Sequence, residues 1–568
     1  MVDLMSATGD AASASSEHPS RDHEGSIKET LISLVISFVM ALVFRSYVVE
    51  AFIIPTGSMA PTLLGAHMEF QSPQSGFEWA VNPWYDIAGS QGVPAPIQGA
   101  GQFGLPSATD PVSTGRIGAF YGNGRRAGQQ GFQTTPAPQP LRAGDRILVQ
   151  KYLYVLFPPK RFDVVVFKNP EDATQNFIKR LVGLPGEQIW IADGDIFARP
   201  ISKDATGAAS PTGPWKIQRK PPRVQEALWW PLFSSEYAPL EPVRDGRRWF
   251  REPWRGDGWL TEDRREYRFD SADTSVLYWD TAIWPITNWT PYNEIPQRLS
   301  GAGGANVFPV ADLRMSAGIR PDAPGLTVST VIASHEHEFR ALLADGRATL
   351  QMRRIAPGSA TGVDWIELTS APAPILEAGR VTNVEFWRVD QSLQLFVDGS
   401  RVAHAEYDWG PSDRLLYATG TPGDDYDQLT RHGNLLTMPE TYEQARPQVS
   451  WSFSGSPVTL SRVGLYRDLF YEPTQFNLGG PGLATHPMRL AELGPDQFFV
   501  LGDNSPSSKD GRLWDTLDMD VREQIDPTVG VVPRKLLLGK AFFVYFPAPY
   551  SAGGRIPIPN MGKVRFIH

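Results

Sequence analysis

Ser58 lies between Gly57 and Met59 in the stretch FIIPTGSMAPTLL, where its surroundings could make it a nucleophile. Pro55 and Pro61 tighten the segment and can hold the hydroxyl clear of the backbone. Taken alone, a serine in a Gly/Pro turn is more often structural. A nucleophilic serine also needs a base, and Lys179 in NFIKRLV is a candidate. A free lysine has a pKa of about 10.4 and is protonated at neutral pH, but burial disfavours the charged form. Phe177, Ile178, Leu181 and Val182 are apolar, and strand alternation can turn Lys179 inward. These residues by themselves favour the opposite arrangement, with Lys179 facing solvent and Arg180 inward. His335 and His337 in SHEHEF share one face if the segment is a strand, yet with nine His in the chain and no fixed third ligand a metal site is not expected. There are no cysteines, which excludes disulfides, thiolate metal sites and cysteine nucleophiles together.

These groups must be positioned by a chain of 568 residues, too long for one core, so two or more domains are expected. A composition 41% hydrophobic and 20% charged excludes global disorder, and 52 Gly with 50 Pro point to turn-rich β architecture. The net charge of −9 gives no broad case for nucleic acid as a partner. Residues 1–28 are small and polar and read as a disordered tail. Residues 29–49, ETLISLVISFVMALVFRSYVV, carry no charge from Thr30 to Phe44 and only Arg45 beyond. This suits a membrane-spanning helix, which needs about 20 residues. Arg45-Ser46-Tyr47 follows in place of a small-residue cleavage site, so a retained anchor is expected, not a removed leader. The flanking Lys and Arg are nearly balanced and leave the orientation open.

Residues 67–140 are rich in Gly, Pro, Gln and Ser and read as a loop-dominated insertion. Within it, SPQSGFEWAVN resembles a zinc-ribbon half-site with serines where cysteines would stand. From Leu141, short β-branched runs such as RILVQKYLY and RFDVVVFKNP are bounded by Gly, Asp and Pro, the mark of strands. Turns are expected at Pro185-Gly186 and Asp193-Gly194. Residues 201–485 form a larger block. There VTNVEFWRVDQSLQLFVDGSRVAHAEYDW alternates as strands around turns at Asp390-Gln391-Ser392 and Asp398-Gly399, a β-sandwich pattern. Most of its many tryptophans are expected in the core.

Four ordered blocks then carry a resemblance: IPTGSMAPTL, GDRILVQKY, RFDVVVFKNPEDATQNFIKRLVGLPGE and GDNSPSSKDGR. In this order behind an apolar helix, over roughly a third of the chain, the sequence resembles the type I signal peptidases, the bacterial leader peptidase family. The resemblance implies Ser58 as nucleophile and Lys179 as general base. It implies Thr56 as an oxyanion donor beside the Ser58 N–H, and Ser508 bonded to the lysine amine. Asp510 and Arg512 match a buttressing ion pair, and Asp503 and Asn504 the opening turn of the fourth block. Phe52, Ile53, Met59 and Leu63 become candidates for substrate pockets or a membrane-contacting surface. Ser505 and Gly511 depart from the family pattern and leave the shape of the Ser505–Ser507 loop in question.

The expected fold is mainly β: an N-terminal transmembrane helix, an antiparallel β catalytic domain in three parts (50–66, 141–200 and 486–568), and an inserted β-sandwich. The insert resembles concanavalin- or laminin-G-like sandwiches, which bind glycans or proteins. The implied activity is removal of signal peptides from translocated preproteins, cleaving after small residues, without cofactor or metal. The implied location is the extracytoplasmic side of the cytoplasmic membrane, with the lipid bilayer as a further partner. Two other readings stand beside it. One is a catalytically altered family member whose insert is a glycan- or protein-binding module of the envelope. The other is a self-cleaving repressor-type Ser–Lys protease, which would carry a DNA-binding region instead of an anchor.

Overall fold

A computed structural model of the chain describes residues 23–568 apart from 73, 84, 87–94, 97–106, 114–115, 120–131, 136–140, 204–208, 245–246, 249, 262–264, 294–306, 356–363, 432–433, 475–479 and 553–555. Most of the tail expected to be disordered, residues 1–22, lies outside the described residues.

The apolar run Leu31–Phe44 contains neither Gly nor Pro, and it lies within a helix spanning His23–Tyr47. Leu31, Leu34, Phe38 and Met40 of this helix are all exposed. Among the described residues no helix is long and apolar enough to cross a membrane, so the fold by itself does not supply the span expected over 29–49.

The remainder, from Ala51, is mainly β. One antiparallel sheet runs in the order Arg146–Gln150, Leu537–Phe546, Val164–Asn169, Asp172–Gly183, Gln497–Leu501 and Val532–Pro533. Strands from two stretches of sequence about three hundred residues apart are thus interleaved in a single sheet. Both its faces are covered. Ile54, Met59, Leu63, Ile147, Val164, Val166 and Ile178 pack on one side, and Val165, Phe167, Leu181, Phe498 and Val500 on the other. Strands buried on both faces read as near-continuous apolar runs, which is why VVVF and FFVL do not alternate.

Residues 67–81 are more ordered than a loop-dominated reading allows. His67–Gln71 pairs with Glu78–Val81 and with Leu141–Arg142, and Phe70 stacks on Trp79 at 5.9 Å over Met68 and Val81. In the zinc-ribbon-like stretch the serines bond to protein groups. Ser72 Oγ accepts from Ser75 N–H, and Ser75 and Ser113 donate to the buried Asp110.

Beyond Lys203 lie two facing antiparallel sheets. One is ordered Trp230–Ser234, Val458–Arg467, Leu313–Pro321, Thr382–Val389, Ser392–Val397, Ser400–Glu406. The other is ordered Trp254–Arg255, Ser275–Trp279, Gln448–Ser454, Thr327–Ser334, His337–Ala344, Arg347–Arg354, Ile366–Pro372. Their inner faces share a core containing Phe233, Trp254, Trp279, Met315, Phe339, Phe386, Trp451 and Leu465. Two-residue hairpin turns with both residues at positive φ set the register, because that backbone matches the strand twist. Asp390–Gln391 (φ 47 and 54) and Asp398–Gly399 (φ 47 and 77) are such turns. His335–Glu336 is a third (φ 57 and 55), joining Ser334 to its partner His337. This corrects the strand reading of SHEHEF: His335 is a turn residue, so the alternation that would align it with His337 does not apply.

Candidate active site

After Ile54, whose N–H bonds to Asp145 O at 2.9 Å, the chain makes a single tight helical turn over Gly57–Met59. The turn sends successive side chains in different directions. Met59 enters the core with Leu63, both fully buried, while Ser58 faces the sheet strand Asp172–Gly183. On that strand Lys179 pairs with Val165, and its Nζ reaches 2.7 Å from Ser58 Oγ across 121 positions of sequence. Lys179 is 3% exposed. Nζ also lies 3.2 Å from Ile178 O and 5.2 Å from the Phe177 ring centre.

Burial pushes the Lys179 ammonium down from 10.5 to about 8, against the opposing pull of Asp510 and Asp503, with Arg512 adding to the fall. The two carboxylates do not restore it because each is committed elsewhere. Asp510 chelates Arg512 through two contacts of 2.9 Å and accepts Gly502 N–H at 2.9 Å. Asp503 grips Arg180 at 2.8 and 2.7 Å and accepts from Thr62 Oγ1 at 2.6 Å. Arg180 is therefore inward as well, on the opposite face from Lys179. The sheet has no solvent face at this point, so both strand neighbours are buried.

The fourth block closes over the serine. Asn504 N–H donates to Ser58 O at 3.0 Å. Gly502 is required by close approach, since a Cβ there would lie 2.5 Å from Ser58 O and 2.2 Å from Ser508 Oγ. The unusual Ser505–Ser507 stretch forms a short helical turn. Ser505 Oγ accepts from Arg512 Nη1 at 2.8 Å and from Glu472 N–H at 2.8 Å. The residue that departs from the family pattern thus ties the ion pair to the chain returning from the insert.

Thr56 is exposed and, with Ser58, lines an open cleft shared with Asn82, Pro83, Phe177 and Asn504. Ser508 departs from expectation: its Oγ is buried and bonds to no group, the lysine amine included. Met59 and Leu63 also depart, being core residues with no face on the cleft; the helical turn points them into the sheet. Phe52 packs partly on the same core, and Ile53 is exposed. Sequence reading missed Arg180 as the partner of Asp503, and missed Tyr292 and Asn293 of the insert beside the serine turn. A Pro-Tyr-Asn triplet in a loop carries no local signal of that contact.

His335 Nε2 donates to Asp193 Oδ2 at 2.6 Å, and His337 Nδ1 donates to the backbone carbonyl His335 O at 2.6 Å. Asp195, Asp312 and Asp390 come close enough to one another to share an ion. Buried cations already face them: Arg414 lies 2.9 Å from Asp195, Arg388 lies 3.3 Å from Asp312, and Lys220 pairs with Asp390.

Residues 132–204 and 467–546 match the model of the family described as signal peptidase, peptidase S26. Ser58 precedes both segments. The probable signal peptidase I-2 of Synechocystis is 34% identical over 87 residues, 14% of this chain and 39% of that protein. Signal peptidase I of Rickettsia typhi is 24% identical over 172 residues, 30% of this chain and 43% of that protein. The chain thus spans about two fifths of the length of these curated relatives. Among solved structures, a carbohydrate binding module of Bacillus subtilis aligns with 38% of this chain and 94% of its own, at 9% identity and TM-score 0.20. A Bacillus subtilis protein of unknown function with a galectin-like fold covers 38% and 89% at 9% identity and TM-score 0.22.

Proposed function

We propose that this chain, which carries the signal peptidase family's domain in two separated segments, is a membrane-bound serine endopeptidase that removes signal peptides from translocated preproteins. The observation that carries the reading is the 2.7 Å approach of Lys179 Nζ to Ser58 Oγ in a buried site.

Ser58 Oγ attacks the carbonyl carbon of the scissile peptide as its proton passes to neutral Lys179 Nζ. With the lysine held at about 8, roughly a tenth of the free enzyme has the neutral amine at pH 7. That fraction is useful, and it rises with pH. An unshifted lysine would be neutral in fewer than about one molecule in a thousand. The tetrahedral oxyanion is met by the Ser58 N–H and the Thr56 hydroxyl, which share the cleft. The protonated lysine then gives its proton to the leaving amine, and water attacks the acyl-enzyme with the lysine again as base.

The apolar side chains exposed along the N-terminal helix support an anchoring role. Leu31-Ile32, Leu34-Val35-Ile36 and Phe38-Val39-Met40 cover most of the helix circumference, leaving one side to Ser33 and Ser37, which lie one turn apart. Such a surface suits lipid better than water. By family resemblance the catalytic part works on the extracytoplasmic face and accepts small residues before the cut.

The test is processing of a preprotein by the purified chain in detergent micelles. Ser58→Ala and Lys179→Ala should each abolish cleavage. Retention of activity by either variant removes the assignment, and an inactive wild type would favour the catalytically altered alternative.

A further inference from the structure

Among the described residues Pro291–Asn293 of the insert reaches the serine turn, and the contacts made there are directional. Asn504 Nδ2 donates to Gly57 O at 2.9 Å and to Asn293 Oδ1 at 2.9 Å. Asn293 Nδ2 donates back to Asn504 Oδ1 at 2.7 Å. Beside this pair Tyr292 is buried against the turn: a Cβ on Gly57 would lie 2.4 Å from Tyr292 Oη and 2.5 Å from Cε1. Tyr292 O in turn accepts Asn82 N–H at 2.8 Å.

Gly57 O and the Ser58 N–H belong to one peptide unit, and that unit is planar. Whatever fixes the direction of Gly57 O therefore fixes the direction of the Ser58 N–H. Gly57 O can only accept, so Asn504 must present its nitrogen to it. Asn504 could rotate its amide by half a turn and present oxygen instead. Asn293 opposes rotation of Asn504 alone, because its own amide offers an acceptor to the Asn504 nitrogen and a donor to the Asn504 oxygen. A half-turn of both amides together would keep the pair but set Asn504 Oδ1 against Gly57 O.

We infer that the insert supplies a positioning residue to the proteolytic site, in which Asn293 orients the Asn504 amide, and through Gly57 O the Ser58 N–H that receives the oxyanion. This rests on the serine endopeptidase reading above. The Ala60 N–H of the turn also donates to Gly57 O at 3.0 Å, so the turn and the insert jointly hold this peptide, and removing Asn293 loosens the alignment of the donor. Asn293 does not line the cleft that holds Ser58, so its effect falls on the transition state, where the oxyanion is fully developed, more than on binding.

The experiment compares wild type with Asn293→Ala, Asn504→Ala and the double variant, on a peptide carrying a signal-peptidase-type site. Active enzyme is counted by titration with an acylating serine reagent. Removing a whole oxyanion donor typically costs about a hundredfold or more in kcat. Loss of its alignment should lower kcat per active site by roughly tenfold or more, with KM within about twofold. The double variant should lose no more than the worse single one, since the two residues act as a unit. The pH midpoint of kcat should stay at the wild-type value, because Lys179 is untouched. Asn293→Asp, nearly the same size but with no donor for Asn504 Oδ1, should show the same kcat loss. It guards against a packing defect at position 293. If both Asn293 variants keep kcat within twofold, or if losses in the double variant multiply, the inference is overturned while the protease reading stands. If wild type shows no Ser58-dependent cleavage, it is the protease reading that fails.

Discussion

A lysine in a dry site is stabilising for catalysis only at a cost to folding, and Lys179→Met exposes both sides. The buried ammonium is driven from 10.5 to about 8, mainly by desolvation. Its folded-state pKa is thus lowered, the reverse of a lysine that gains an acidic partner. Below about pH 8 both folded and unfolded chains carry the charge, and the folded one bears the full penalty, about 3 kcal/mol. Between about 8 and 10.5 the folded lysine has already lost its proton, and the penalty fades as pH rises, to roughly 1.4 kcal/mol at about pH 9.5. Methionine fills a similar volume without a charge. It forgoes the contacts to Ser58 Oγ and Ile178 O, which together offset about 1 kcal/mol. The variant should therefore be inactive yet more stable than wild type, by about 2 kcal/mol near pH 6.5 and by close to nothing near pH 9.5. The assay is thermal unfolding of both proteins at the two pH values, followed by tryptophan fluorescence. A variant less stable than wild type at the lower pH, or a difference that ignores pH, refutes the claim that this lysine is held against its charge. The same titration predicts that wild-type kcat/KM climbs tenfold per pH unit at low pH and levels off above about pH 8.

Asp503→Ala strands the buried Arg180 guanidinium and frees Thr62 Oγ1. It should destabilise the fold by about 3–5 kcal/mol, read as a lowered denaturation midpoint. Burial holds His335 down from 6.5 to about 4, with Asp193 opposing. The unfolded chain takes up that proton below about pH 6.5 and the folded chain does not. Stability is then lost as pH falls from 6.5 towards 4, by up to about 3 kcal/mol. His335→Gln should flatten this acid limb of the unfolding profile, and an unchanged limb would show that His335 is not its source.

Much of the architecture could be read locally. Asp193-Gly194, Asp390-Gln391 and Asp398-Gly399 carry their turn conformation in their own residue types, because backbone sterics act over one or two residues. Alternation between them then fixes the flanking strands. The exception, His335–Glu336 at positive φ, hid because neither residue type announces that conformation. In the site, the residue types were legible and their directions were not. Lys179 and Arg180 are adjacent, and the sequence invited a choice of one inward residue. Both are buried, since helical and loop segments far along the chain cover the second face of the sheet.

Residue chemistry made Ser58 and Lys179 candidates, the resemblance carried by four ordered blocks paired them as nucleophile and base, and short-range sterics marked the hairpins that build the chain's sheets. Tertiary structure alone decided that the two meet at 2.7 Å, that Met59 and Leu63 face the core, and that Asn293 of the insert reaches Asn504. Those outcomes depend on register and on what covers each face, which are properties of strands hundreds of residues apart that no local pattern can encode.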